Sequence, residues 1–87
     1  MRLYAANFPY SVDEELLKSL FENYGRVESI IIIKDRRGKS RGFAFIEMPN
    51  EDEAMNAILA LNETNFDGRI LYVSRAKERP QIRRYDD

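Results

Sequence analysis

The sequence predicts an α+β domain in the order β-α-β-β-α-β: a four-stranded antiparallel sheet with two helices on one face. Three observations lead there. Two windows repeat apolar residues at helical spacing, each behind a capping signature. Four windows read as strands, most clearly Arg41 to Met48, whose residues alternate between two faces. A turn around Gly38 joins the second strand to the third, leaving no room for a helix between them.

The first strand is read at 2–8, with Leu3 and Ala5 inward and Arg2, Tyr4 and Ala6 outward. Ser11 and Glu14 make a capping box, and Val12 to Tyr24 follows as helix. Its stripe is Leu16, Leu17, Leu20, Phe21 and Tyr24, and Gly25 ends it. The second strand is read at 27–34, Ile30 and Ile32 inward and Ser29, Ile31 and Ile33 outward; the third runs 41–48. Asn50 and Glu53 form a second box before the stripe Ala54, Ala57, Ile58 and Leu61. The last strand is read at 70–76, with Tyr72 and Ser74 outward. Pro9 and Pro49 fall in the loops before the helices, where proline is tolerated. This is the ferredoxin-like arrangement. Right-handed crossovers put both helices on one face and leave the other open.

On that open face the third strand sets Arg41, Phe43, Phe45 and Glu47, while Gly42, Ala44, Ile46 and Met48 face the helices. Two exposed phenylalanines beside an arginine form a surface that calls for a ligand. A nucleobase offers a flat π-face to the rings, and its phosphate suits the arginine. A one-residue slip in the alternation would instead bury Arg41 and Glu47.

The octamer Arg41-Gly42-Phe43-Ala44-Phe45-Ile46-Glu47-Met48 resembles the longer signature of the RNA-recognition motif family. Ile46 stands for valine, and Met48 replaces an aromatic on the packed face, where it bears on core shape. Leu3-Tyr4-Ala5-Ala6-Asn7-Phe8 resembles the shorter signature, and Gly68 to Ala76 is similar to the family's last strand. The resemblance covers residues 2–77, and extends to free-standing bacterial proteins with one such motif. It implies that the two signature strands lie side by side at the sheet's centre. It also implies that the residues at the Tyr4 and Phe45 positions stack on successive bases, and that the one at the Phe43 position packs against sugars.

Eighty-seven residues allow one domain, read as 1–77 with a basic, mobile tail at 78–87. Such a chain buries roughly 60% of its unfolded surface, a thin but workable core. There are no cysteines and no histidines. That excludes disulfides and thiol catalysis, and removes the commonest general base and metal ligand. The Asn7-Phe8-Pro9-Tyr10 loop lacks the glycine and arginine an acylphosphatase-like phosphate cradle needs. No enzyme activity, small-molecule substrate or cofactor is expected. No apolar run approaches the ~20 residues of a membrane span, and a cytoplasmic monomer is expected. The chain starts at Met1 and stops soon after the domain, as either a complete small protein or an excised eukaryotic domain would.

Net charge is −1, yet it is unevenly placed. Lys34, Arg36, Arg37, Lys39 and Arg41 stand against Asp35, a run of net +4; Arg69, Arg75, Lys77, Arg79, Arg83 and Arg84 stand against Glu78, net +5. Acids collect in the helices. Local field steers a ligand more than net charge does.

The expected partner is single-stranded RNA, with single-stranded DNA a second candidate because stacking does not use the 2′-OH. Tyr4, Phe43 and Phe45 form the platform, and Arg41, assisted by Arg2, meets phosphate. Ile31 and Ile33 flank bases or serve ordinary β-propensity. Tyr72 is a further platform or a cross-strand packing residue, with Ser74 beside it. Arg36, Arg37 and Lys39, and beyond them Lys77, are flexible phosphate clamps or solvated charge. Phe8, Phe21 and Phe66 are assigned to core or loop packing, and Tyr10 carries no inferred role. The rival reading is a protein-interaction module of the same fold. It is disfavoured because all three sheet aromatics are present.

Overall fold

The computed structural model describes residues 1–76. Its elements are β1 Arg2–Ala6, α1 Glu14–Glu22, β2 Ser29–Lys34, β3 Ser40–Glu47, α2 Glu51–Leu61, β4 Thr64–Phe66 and β5 Arg69–Arg75. The sheet has the order β2-β3-β1-β5-β4, antiparallel throughout. The two signature strands are therefore neighbours, with β1 at the centre.

Strand phase follows the sequence. Leu3, Ala5, Ala44, Ile46, Leu71 and Val73 are all inward and buried. Ala5 pairs with Ala44 across the middle of the sheet. Two small side chains meet there, and Leu17, Phe21 and Phe8 are buried in the same cluster. Met48, where the family signature has an aromatic, is fully buried, and its backbone exchanges hydrogen bonds with Met1. A flexible thioether suits an irregular core space better than most side chains.

Four expectations need correction. Helix α1 starts at Glu14 instead of Val12, because Asp13 is its N-cap and accepts the Leu16 N–H at 2.9 Å. Ser11 lies outside, and Val12 and Leu17 take the N′ and N4 positions of a hydrophobic staple, both buried. The stripe narrows accordingly: Leu17 and Phe21 are buried, Leu20 and Tyr24 pack partly against the core, and Leu16 is exposed.

Gly25 does not end that helix; Asn23 is the C-cap. What Gly25 provides is space, since any side chain there would run into Glu53. The second box is only half made. Asn50 caps the Glu53 N–H at 2.9 Å, but the Glu53 carboxylate turns away to accept the Arg26 N–H at 3.2 Å, tying the start of α2 to the loop after α1.

The sheet has five strands, not four. Thr64–Phe66 pairs with the start of β5 through the two-residue turn Asp67-Gly68, both at positive φ (54° and 88°). This is the type I′ pattern that Asp-Gly favours. Phe66 packs against the core from this added strand. Among the described residues no helix is long and apolar enough to cross a membrane.

Candidate nucleic-acid interface

The strand register arranges the open face in rows. Ile31, Phe45, Tyr4 and Ser74 are successive partners across β2, β3, β1 and β5. Two residues along, about 7 Å away by strand rise, Phe43, Ala6 and Tyr72 make a second row. On the other side Ser29, Glu47 and Arg2 make a third.

Tyr4 binds the platform together. Its ring centroid lies 5.6 Å from Phe45 and 6.0 Å from Phe43, with tilts of 48° and 44°. Both distances are in the favourable range for aromatic pairs. The three rings are half-buried, with no helix or strand over them among the described residues. Tyr72 sits across Ala6 from Phe43, 47% exposed and without a ring partner among the described residues. Ile31 is 53% exposed, Ile33 is half-buried and Ser74 is exposed.

Arg2 does not project freely. Its guanidinium lies 4.6 Å from the Phe45 ring centroid and 3.8 Å from the Glu47 carboxylate. A cation over a ring is held by the ring quadrupole. The face of Phe45 therefore carries an occupant already.

At its other end the platform meets an irregularity. Ile32 pairs with Ala44 and Lys34 with Ser40, so Arg41, Gly42 and Phe43 all stand opposite Ile33. Gly42 carries this bulge at φ 81°, in the left-handed region that glycine accepts at no steric cost. It is also hemmed in: an added Cβ would lie 3.2 Å from the Phe8 carbonyl oxygen. The Gly42 carbonyl accepts the Asn7 N–H at 2.7 Å.

Asn7 itself is at φ 73°, which asparagine tolerates better than most. Its side-chain amide donates to the Ile70 carbonyl at 2.8 Å, and its Oδ1 accepts from Arg69 Nη2 at 2.8 Å. One residue thus fastens the ends of β1, β3 and β5.

Arg41 emerges exposed from the bulge and borders a hollow with Asn7, Tyr10, Phe43 and Arg69. Tyr10 and Arg41 also border a second hollow, which runs to Arg37 and Lys39. The β2–β3 loop is a hydrogen-bonded turn. Asp35 Oδ1 accepts the N–H groups of Arg37 (2.8 Å) and Lys39 (3.0 Å). The one acid of the run is engaged with the turn's amides, and Arg36, Arg37 and Lys39 are exposed without an ion pair among the described residues. Lys77, with Arg79, Arg83 and Arg84, lies outside the described residues.

The acids of the helices lie on the other layer. Glu14 and Glu15 in the first turn of α1, and Glu51 and Asp52 in that of α2, are on the helical layer. On the open face Glu47 is countered by Arg2. Sequence reasoning missed Tyr10 and Arg69 as border residues. The Asp67-Gly68 hairpin signal, read as such, would have set Arg69 at the start of a strand beside the end of β1.

The model of the RNA recognition motif family matches residues 3–72. The chain is 43% identical over 81 residues to a 28 kDa chloroplastic ribonucleoprotein of Spinacia oleracea, covering 92% of this chain and 35% of that protein. It is 37% identical over 79 residues to polyadenylate-binding protein 2 of Arabidopsis thaliana, covering 91% and 13% respectively. Among solved structures it is similar to RNA-binding protein PG1, with a TM-score of 0.88 at 46% identity over 93% of this chain and 99% of that one. It is also similar to the Rna15 domain solved with bound RNA (GU), with a TM-score of 0.81 at 28% identity over 88% of this chain and 83% of that one. The chain spans about a third or less of the two curated plant relatives. The chloroplastic one lends no support to a cytoplasmic location.

Proposed function

We propose that this chain, which belongs to the RNA recognition motif family, binds short single-stranded RNA across the open face of its sheet. The observation that carries this is the Tyr4–Phe43–Phe45 ring cluster, which no helix or strand among the described residues covers and which Arg41 and the basic β2–β3 loop border. Tyr4 and Phe45 each take a base, and Phe43 packs against the sugars between them. A ring–base stack is worth about 1–3 kcal/mol and tolerates any base. Two or three bases on one platform make a modest total affinity.

Arg41 pairs with a backbone phosphate, and Arg37 and Lys39 extend the positive field along the same edge. Tyr72, 47% exposed beyond Ala6, offers a further ring. Ile31 and Ile33 supply apolar contact at the other edge, and Ser74 a hydroxyl. Arg36 and Lys77 belong to the same reading as outlying cations. Single-stranded DNA is a second ligand on the same chemistry, and the protein acts as a monomeric binding module without a catalytic step.

Titration of the chain with mixed-sequence RNA oligomers tests this directly. Saturable binding that weakens in Tyr4→Ala and Phe45→Ala, with the fold intact by circular dichroism, is the expected result. Absence of RNA binding in the wild type would turn the sheet over to the protein-interaction reading.

A further inference from the structure

The hollow beyond the end of the sheet has features that stacking on Tyr4 and Phe45 does not use. It measures about 310 Å³, at the lower end of small-ligand sites and of a size for one nucleotide. Arg41 and Arg69 border it, and neither has an acidic partner among the described residues. Tyr10, on the same border, is 75% exposed, while most aromatic bodies of this chain are at least half covered.

Arg69 is held in place. One N–H is spent on Asn7 Oδ1, and the orientation of that amide is fixed in turn by its donation to the Ile70 carbonyl. A guanidinium has five N–H donors in a rigid fork, so the remaining donors are preorganised and lose little freedom on meeting an anion.

Tyr10 and Arg41 belong to both this hollow and the one lined by Arg37 and Lys39. The two hollows adjoin at these two residues, and the furrow they make runs from Phe43 past Tyr10 to the β2–β3 turn, where Asp35 also lines it with one carboxylate oxygen engaged by the turn's amides.

We infer that this furrow is a separate nucleotide site at the end of the sheet, with a base stacked on Tyr10 and the adjoining phosphate held between Arg41 and Arg69. The inference rests on the RNA-binding reading and extends it: the footprint becomes one nucleotide longer than the platform, and Arg69 and Tyr10 set its far end. The bland alternative is that Arg69 only helps Asn7 to fasten the strand ends.

The test compares a mixed-sequence trinucleotide, which the platform alone can hold, with a heptanucleotide, both followed by amide chemical shifts at several salt concentrations. The wild type should bind the heptamer more tightly. Tyr10→Ala should weaken heptamer binding about fivefold or more, the loss of one stack, and leave the trimer unchanged; Tyr10→Phe should keep both. Arg69→Ala should flatten the heptamer's log–log salt slope by about 0.7, the release expected for one phosphate on a single strand, again sparing the trimer. Tyr4→Ala should weaken both oligomers.

A heptamer bound no better than the trimer by the wild type overturns the site, as does a length advantage that survives Tyr10→Ala. Should Arg69→Ala unsettle the sheet and weaken both oligomers, Tyr10→Ala decides alone, because its ring is exposed. Failure of the wild type to bind either oligomer removes the platform reading, and this site with it.

Discussion

The middle strands carry two surfaces made by different means. Toward the helices, Leu3, Ala5, Ala44, Ile46, Leu71 and Val73 are at most 1% exposed. They meet side chains from α1, α2 and the loops, and their apolar area is removed from water on folding. Away from the helices, Tyr4, Phe43 and Phe45 have no layer above them among the described residues. They are kept half-covered by tilted ring contacts at 5.6 and 6.0 Å. One surface has already released its hydrophobic free energy; the other still holds part of it for a ligand. Stability and binding should therefore respond to different residues of the same strands and of the helices above them.

The largest test of that separation is on the packed side. Phe21→Ala, in a fully buried ring, should lower unfolding free energy by about 3–5 kcal/mol, read from urea denaturation. Leu20→Ala, only partly buried, should cost clearly less. Equal midpoints for the two would mean that the narrowed stripe of α1 is misdrawn. On the open side, Tyr4→Ala should weaken RNA binding by about 1–3 kcal/mol, with a melting temperature much closer to wild type than that of Phe21→Ala. If Tyr4→Ala instead melts like Phe21→Ala, the rings are core and the comparison collapses.

Gly42→Ala sits where the two surfaces join. A side chain at φ 81° costs about 1–2 kcal/mol, and its contact with the Phe8 carbonyl adds to this. Both stability and binding should fall together, measured by melting and by titration on one sample. The smallest effect is electrostatic. Replacing Arg36, Arg37 and Lys39 with serine should flatten the salt dependence of binding by about one to two slope units without moving the melting temperature. An unchanged slope would return the loop to solvated charge.

What could be read from the sequence follows the range of the interaction. Strand phase was legible because a period of two either buries Arg41 and Glu47 or exposes them, and only one choice is physically cheap. The helix start was less legible. Ser11 and Asp13 are both good caps, and the helix uses Asp13, while Leu16 is exposed. The β4–β5 hairpin was written in Asp67-Gly68 and went unread as such. The meeting of Arg69 with Asn7, 62 residues apart, and the seat of Arg2 on Phe45 have no local signature. They depend on strand order and on side-chain reach across it.

That seat has a thermodynamic consequence. With the Arg2 guanidinium 4.6 Å above the Phe45 ring, a base arriving there enters by exchange. What the ring gains from the base is offset by what it surrenders from the arginine, a contact worth about 0.5–1 kcal/mol at an exposed site. The displaced cation is then free to follow the incoming phosphate. On the proposed reading, Arg2 would set the reference level against which each base is weighed, and weakly stacking bases would gain least by displacing it.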